Sequence, residues 1–532
     1  MVQRVRRKAA HTVTPVAAAP RVRRSRGSGT PTAVPAGRPR APAKTSLATS
    51  LGLEGERMSK VDTAWLRMDS ASNLMMIVGV WVLRPGITVA ALSERVRERM
   101  LPYPRFVQVA RQDAAGAHWA IDADFQLDRH VFARPLERQK GQTEQAALQA
   151  RVAHLTMQPL DHDHPLWQFE LIEHYQGGSA LVARIHHCIA DGIALISVMM
   201  SLVDGGKPPP LHRPRKTGRA AMAAAEDWVA DSLIRPLGEL TARALEVAGG
   251  GAARSLSLLS SPQQGLSDTF EQAMDMARVG GQLASDLAAL ALMPDDSPTR
   301  LKGQPGQHKR VAWCEPLPLD EVKAISKAMK CSINDVLLSC VAGAIGGYLR
   351  RQGDDPRGKE IRAMVPINLR PMSDAWKLGN RFGLVPLVLP IGVDNPIERA
   401  LAVRARMTSL KGSLQPLLTY GLLSVAGLLI KPAQDALLSL FGRKTTAVMT
   451  NVPGPTVKLK VCGSTLEQTM FWVPQSGTVG LGVSILSYGG GVQFGVIADT
   501  TLCPDPQKII DEFEPEFRRL MTLTLMLPWG GD

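Results

Sequence analysis

The mostly apolar residues 181–185 run directly into His186 and His187, and after Cys188, Ile189, Ala190, Asp191 and Gly192 a second mostly apolar run covers 193–200. A run of strand length that ends on two histidines, with a glycine five residues past the second, predicts a buried strand, a tight turn and a helix start. The histidines then sit at the strand end. Further strands are expected over 75–83, 168–172, 311–317, 364–370 and up to Pro390, and helices over 89–100 and 505–523. The alternating residues 479–498 predict a hairpin turning on Gly489, Gly490 and Gly491, while 450–455, Thr-Asn-Val-Pro-Gly-Pro, reads as a turn. Ser332 or Asn334 is placed to cap a helix that follows. Strand and helix patterns therefore alternate along the chain, as in an α/β protein.

Length and composition set the scale. With 532 residues and 45% hydrophobic content, the chain can bury two ordinary cores, so two domains are expected. The formal charge is +14, but residues 1–53 hold eleven Lys or Arg and no acid, which leaves only +3 for the rest. That segment cannot bury enough apolar surface to fold alone and is expected to be a disordered basic arm, suited to a solvated role or to anionic lipid head groups. Nucleic acid is not expected as a partner. The expected domains are 54–205 and 311–532, joined by a partly helical crossover over 206–310 that opens with Pro208, Pro209 and Pro210.

Six scattered cysteines without a CxxC pair fit reduced thiols in a cytoplasmic setting and make a zinc site unexpected. The 19 residues 412–430 are uncharged but include Ser413, Gln415, Pro416 and Thr419, and read as a buried or interfacial helix rather than a membrane span.

The candidate chemistry lies at the histidine strand. A neutral imidazole fixed at a strand end and facing a cleft accepts a proton near physiological pH, so it suits a general base that deprotonates an alcohol. Asp191, four positions on, can orient the turn, and Gly192 leaves room for a substrate to approach the backbone.

His186, His187, Asp191 and Gly192 resemble the HHxxxDG signature of the acyltransferases with a chloramphenicol-acetyltransferase-like fold. Other segments narrow the resemblance to the bacterial wax ester synthase and acyl-CoA:diacylglycerol acyltransferase family. They are 62–66, with Thr63 and Trp65 as departures; Pro165, Leu166 and Trp167; Asn334 and Asp335; 364–370; and 450–455. The resemblance implies two α/β domains of mixed sheet and helices, with an active-site channel between them. His187 is implied as general base and His186 as its support, with Asp191 orienting and Gly192 giving access. Asn334, Asp335 and Arg370 are implied as site-supporting residues, and Arg370 is expected to pair with a partly buried Asp191.

The implied reaction joins an acyl-CoA to a long-chain alcohol or diacylglycerol, making a neutral storage lipid. Coenzyme A thioester is a co-substrate, and no cofactor or metal is called for. Contact with the inner membrane face or with lipid inclusions is expected to be peripheral, and the oligomeric state stays open. Two alternatives remain: an acyltransferase of the same fold with another acceptor, condensation-type or polyketide-associated, and a non-catalytic lipid-droplet coat protein.

Overall fold

The computed structural model describes residues 55–113, 116–207, 292–371, 374, 376–411, 413, 415–429 and 431–527. The basic arm over 1–53 and most of the expected crossover lie outside the described residues. The rest belongs to one compact unit built on two large sheets.

In the six-stranded sheet the histidine strand Gly178–His186 is central, antiparallel to Met76–Arg84 on one side and to Trp167–Tyr175 on the other. It is buried at all but one position, as expected for a strand covered on both faces. Its one charge, Arg184, donates to the carbonyls of Leu155 (3.2 Å) and Gln158 (2.8 Å) and to the Gln168 side chain, so the buried cation is satisfied without leaving the sheet.

The same sheet continues through Ser464–Trp472 to Lys460–Val461. Two strands from the expected domain 311–532 thus complete the sheet of the other half. The exchange has a physical reason. Without Ser464–Trp472, the strand Met76–Arg84 would present an open edge of unpaired backbone groups.

The second sheet has the order Phe382–Leu389, Ile361–Asn368, Ala447–Pro453, Leu481–Tyr488, Gly491–Asp499, Lys309–Trp313. Gly489 and Gly490, with φ of 57° and 83°, close the expected hairpin between Leu481–Tyr488 and Gly491–Asp499. The strand expected over 311–317 is two pieces, Lys309–Trp313 and Leu317–Pro318. The turn expected over 450–455 is also corrected, because Thr450 to Pro453 are extended and pair in parallel with Leu481–Tyr488. Proline and glycine marked the place, but the β-branched Thr450 and Val452 suit the sheet, and the chain leaves it only after Pro453.

Among the described residues no single helix is long and apolar enough to cross a membrane. Of the stretch 412–430, residues 415–426 form the helix Gln415–Ala426. It buries Leu418, Leu422 and Leu423 against the fold. A Cβ on Gly427 would lie 1.8 Å from the Lys60 carbonyl, so glycine is required where the end of this helix meets the short helix Lys60–Arg67.

Candidate active site

His186 ends its strand and His187 follows it, with the His187 N–H donating to the Met75 carbonyl at 2.7 Å. The two side chains have different surroundings. His186 is buried and occupied: its Nδ1 accepts from the Cys188 N–H at 3.1 Å. Its Nε2 lies 3.4 Å from Asp69 Oδ2, an ion-pair distance without the alignment of a hydrogen bond. Asp69 also accepts from the Met75 N–H at 2.6 Å. Burial pushes its pKa up, but the neighbouring His162 and His186 imidazoles and the Met75 N–H outweigh burial and hold the carboxyl well below its usual range.

His187 lines a cavity of about 340 Å³. Its ring stacks on Trp65 with centroids 4.2 Å apart and planes 14° apart, and Phe382 closes another side at 5.5 Å. Burial of the imidazole pushes its pKa down to about 4, against opposing contacts with its own carbonyl and with Asn380. The ring is therefore neutral at physiological pH and able to take a proton.

Asp191 anchors the turn. Its Oδ1 caps the helix Gly192–Leu202 by accepting from the Ala194 N–H at 2.9 Å, and its Oδ2 accepts from the Arg381 N–H at 2.9 Å. The Arg370 Nη2 lies 3.1 Å from the same Oδ2, both side chains being about 5% exposed. Arg370 also donates to the carbonyls of Lys377 and Gly379. Gly379, at φ 98°, brings its backbone alongside Ala190, so the histidine turn is stitched to the other half of the molecule.

Gly192 lines the cavity, and a Cβ there would meet nothing within 4 Å, so the space before it is open. Much of the lining is apolar, with Leu422, Leu423, Leu438 and Phe441 contributed by Gln415–Ala426 and the following helix Lys431–Lys444.

Asn334 and Asp335 do not line this cavity. Ser332 and Asp335 form a reciprocal capping box at the start of the helix Ile333–Arg351, so Asp335 serves the helix end. The Asn334 Oδ1 accepts from Asn451 Nδ2 at 3.0 Å, and Asn451 does line the cavity, so Asn334 touches the site through one intermediate. Sequence reasoning missed Trp65, Asp69 and Asn380 as site residues. The signal for Trp65 was that it departs from the pattern of the resembled family. Among the described residues no group of three or more His, Cys, Asp or Glu is placed to hold a metal ion.

A two-sheet α/β fold with a buried histidine on the wall of an apolar cavity fits an acyltransferase. The chain is similar in fold to the wax ester synthase/diacylglycerol acyltransferase from Marinobacter aquaeolei VT8, with a TM-score of 0.59 and 20% identity, covering 88% of this chain and 100% of that one. It is also similar to the first condensation domain of the calcium-dependent antibiotic synthetase, with a TM-score of 0.51 and 14% identity, covering 89% and 96% of the two chains.

Residues 58–337 match the wax ester synthase/diacylglycerol acyltransferase catalytic domain, and residues 378–521 match the C-terminal domain of the same family. The chain belongs to this family and is an acyltransferase. Among curated relatives, a probable diacylglycerol O-acyltransferase, tgs1, of Mycobacterium tuberculosis H37Rv is 27% identical over 448 residues, spanning 83% of this chain and 89% of the relative. A putative diacylglycerol O-acyltransferase of Mycobacterium bovis, Mb3154c, matches to the same extent.

Proposed function

We propose that the protein transfers a fatty acyl group from coenzyme A to the hydroxyl of a long-chain alcohol or a diacylglycerol, with His187 as general base. The observation that carries this reading is a buried, neutral imidazole on the wall of an apolar cavity of about 340 Å³. Such a cavity suits hydrocarbon chains and excludes the water that would compete as acyl acceptor.

The Nε2 of His187 takes the hydroxyl proton as the oxygen bonds to the thioester carbonyl carbon. The tetrahedral intermediate then collapses, the C–S bond breaks, and the imidazolium returns the proton to the departing thiolate. Ester and free coenzyme A leave, and no group stays on the enzyme. No metal or redox cofactor takes part.

The acceptors are insoluble, so the enzyme meets them at a membrane or lipid-inclusion surface by peripheral contact. The basic residues of 1–53 favour an anionic surface, each contributing about 1 kcal/mol near it. The exposed Leu417, Leu428 and Leu440, around the cavity wall, add an apolar contribution.

The deciding experiment incubates the purified full-length protein with labelled palmitoyl-CoA and either hexadecanol or dioleoylglycerol and resolves the lipids. Labelled wax ester or triacylglycerol is expected. Product with neither acceptor, while the protein still transfers to another nucleophile, would favour the condensation-type alternative, and no transfer at all would favour a coat protein. Flotation with anionic liposomes is expected to be weakened by salt and by removal of residues 1–57; equal flotation of both forms at every salt concentration would remove the arm from this account.

A further inference from the structure

The proposed reaction makes a cation where the fold disfavours one. On taking the hydroxyl proton His187 becomes an imidazolium, and it does so with only 4% of its surface exposed. The burial that keeps the ring neutral at rest also withholds water from the charge once it forms. A carboxylate is the usual partner of a buried cation, and three lie around the histidine turn. Each is engaged elsewhere: Asp191 is paired with Arg370, Asp69 lies against His186, and Asp62 accepts from Asn380. Among the described residues no ion pair joins a carboxylate to His187.

What the ring meets instead is an aromatic face. The Trp65 and His187 centroids are 4.2 Å apart with planes 14° apart, so the imidazole lies flat over the indole and well inside the roughly 6 Å within which a ring face attracts a cation. Phe382 is farther, at 5.5 Å, and tilted by 44°. Trp65 is itself 5% exposed, and the attraction is strongest where water is excluded. The helix Lys60–Arg67 holds the indole in place. Asp62, three residues before Trp65, accepts from the Asn380 backbone N–H at 2.9 Å and from its Nδ2 at 2.7 Å. The same Nδ2 donates to the His187 carbonyl at 2.6 Å, and Gln434 Nε2 donates to the Ala64 carbonyl at 3.1 Å. One amide thus joins the helix that carries the indole to the turn that carries the imidazole.

We infer that Trp65 stabilises the imidazolium that His187 becomes during acyl transfer, through the cation–π attraction of its indole face. The neutral ring gains little electrostatically from that face and the charged ring gains much. The attraction therefore strengthens as the proton moves, which raises kcat rather than tightening the binding of substrate. Trp65 acts through His187 and needs no contact with the reacting carbonyl.

The test changes the charge of the face without changing its shape. Monofluoro-, difluoro- and tetrafluorotryptophan are placed at position 65 of the full chain through a reassigned stop codon; fluorine on the benzo ring drains negative charge from the face and leaves the stacking surface nearly the same. The kcat is expected to fall stepwise along the series and to end roughly 30-fold lower in the tetrafluoro form, the contribution of a desolvated cation over an indole, with KM for palmitoyl-CoA unchanged. A residue that merely packs against the ring would give a level series. Trp65→Phe, which keeps a weaker face, should fall between the unsubstituted protein and Trp65→Leu.

The inference rests on His187 being the base, so a second measurement works without turnover. Bromomethyl pentadecyl ketone carries a hydrocarbon chain suited to the cavity. A His187 nitrogen bonds to its bromomethyl carbon, the C–Br bond breaks with the electron pair leaving on bromide, and the ring gains the same imidazolium charge. The rate of alkylation, located by mass spectrometry and lost in His187→Ala, is expected to fall along the fluorinated series. Absence of acyl transfer by the unsubstituted protein would defeat the functional reading and leave the alkylation series to decide the inference. A kcat or an alkylation rate that stays level across the series overturns it.

Discussion

Replacing Arg370 by methionine tests whether Asp191 is held by charge pairing or merely by its helix. Both side chains are about 5% exposed and their closest oxygen and nitrogen are 3.1 Å apart, so Arg370→Met leaves a carboxylate buried without its cation. Breaking such a pair by removing one partner costs about 3–5 kcal/mol. Two features of the site set where in that range the cost falls. The Ala194 and Arg381 N–H groups still donate to the carboxylate, which favours the lower end. Against that, the carbonyls of Lys377 and Gly379 lose a charged donor, adding about 1 kcal/mol or more apiece if water does not reach them. A loss of about 4 kcal/mol is expected, read as a lower urea midpoint in equilibrium unfolding.

Asp191→Asn is expected to cost less, because its oxygen still caps Ala194 and the stranded Arg370 keeps its two carbonyls. The double variant Asp191→Asn/Arg370→Met removes both charges and should be more stable than the sum of the singles by about 1–3 kcal/mol. Activity should fall in each variant, because the turn that presents His187 and Gly192 is tied down by this pair. An unchanged midpoint in folded Arg370→Met, or additive losses in the double variant, would refute the reasoning.

Two more outcomes follow from the buried bases. His187→Ala should lower acyl transfer by roughly two to four orders of magnitude, as for loss of a positioned general base, and His186→Ala should lower it less, because His186 lies against Asp69 and does not line the cavity. Burial depresses the folded pKa of His187 to about 4, so the base stays unprotonated until the pH falls that far. The acid limb of kcat/KM should accordingly lie near 4, also in Asp62→Asn, which lacks a carboxyl that burial raises to about 6; an inflection at 6.5 in that variant would mean that the imidazole is solvated.

Lys309 is buried with its Nζ bonded to Asn73 Oδ1 at 2.8 Å and to Gln475 Oε1 at 2.5 Å, and burial pushes its pKa down to about 7 despite nearby Asp499. The fold disfavours its charged form, so the penalty is full below about 7 and is relieved as pH rises toward the ordinary lysine value. The difference in Tm between the unsubstituted protein and Lys309→Met should move in favour of lysine between pH 7 and 9.5; parallel curves would show that the ammonium is not desolvated.

How much of this was legible in the sequence depended on how local each feature is. The histidine strand, its turn and the helix starting at Gly192 are written in consecutive residues, and family resemblance together with charge pairing suggested Arg370 for Asp191. Asn380 and Asp62 are 318 residues apart, and Asn380 and His187 are 193 apart, so no spacing or periodicity could have joined them. The segment 450–453 was misread because proline and glycine report only local preference, whereas its state is set by pairing with Leu481–Tyr488. Strand exchange between the sheets was invisible for the same reason: Ser464–Trp472 looks like any half-buried strand until Met76–Arg84 supplies an edge for it.

The apolar stretch 412–430 shows a different limit. Its hydropathy does not say which face of a helix meets what, because a helix apolar nearly all round has no strong preferred side. In the structure Leu422 and Leu423 of Gln415–Ala426 face the cavity, while Leu417 on the same helix is 43% exposed. One short helix thus presents hydrocarbon both to the cavity and to the outside, which requires apolar residues on both sides and therefore mimics the composition of a membrane span. The same composition that made 412–430 ambiguous in the sequence is what a helix needs when one side lines an apolar cavity and the other is left exposed.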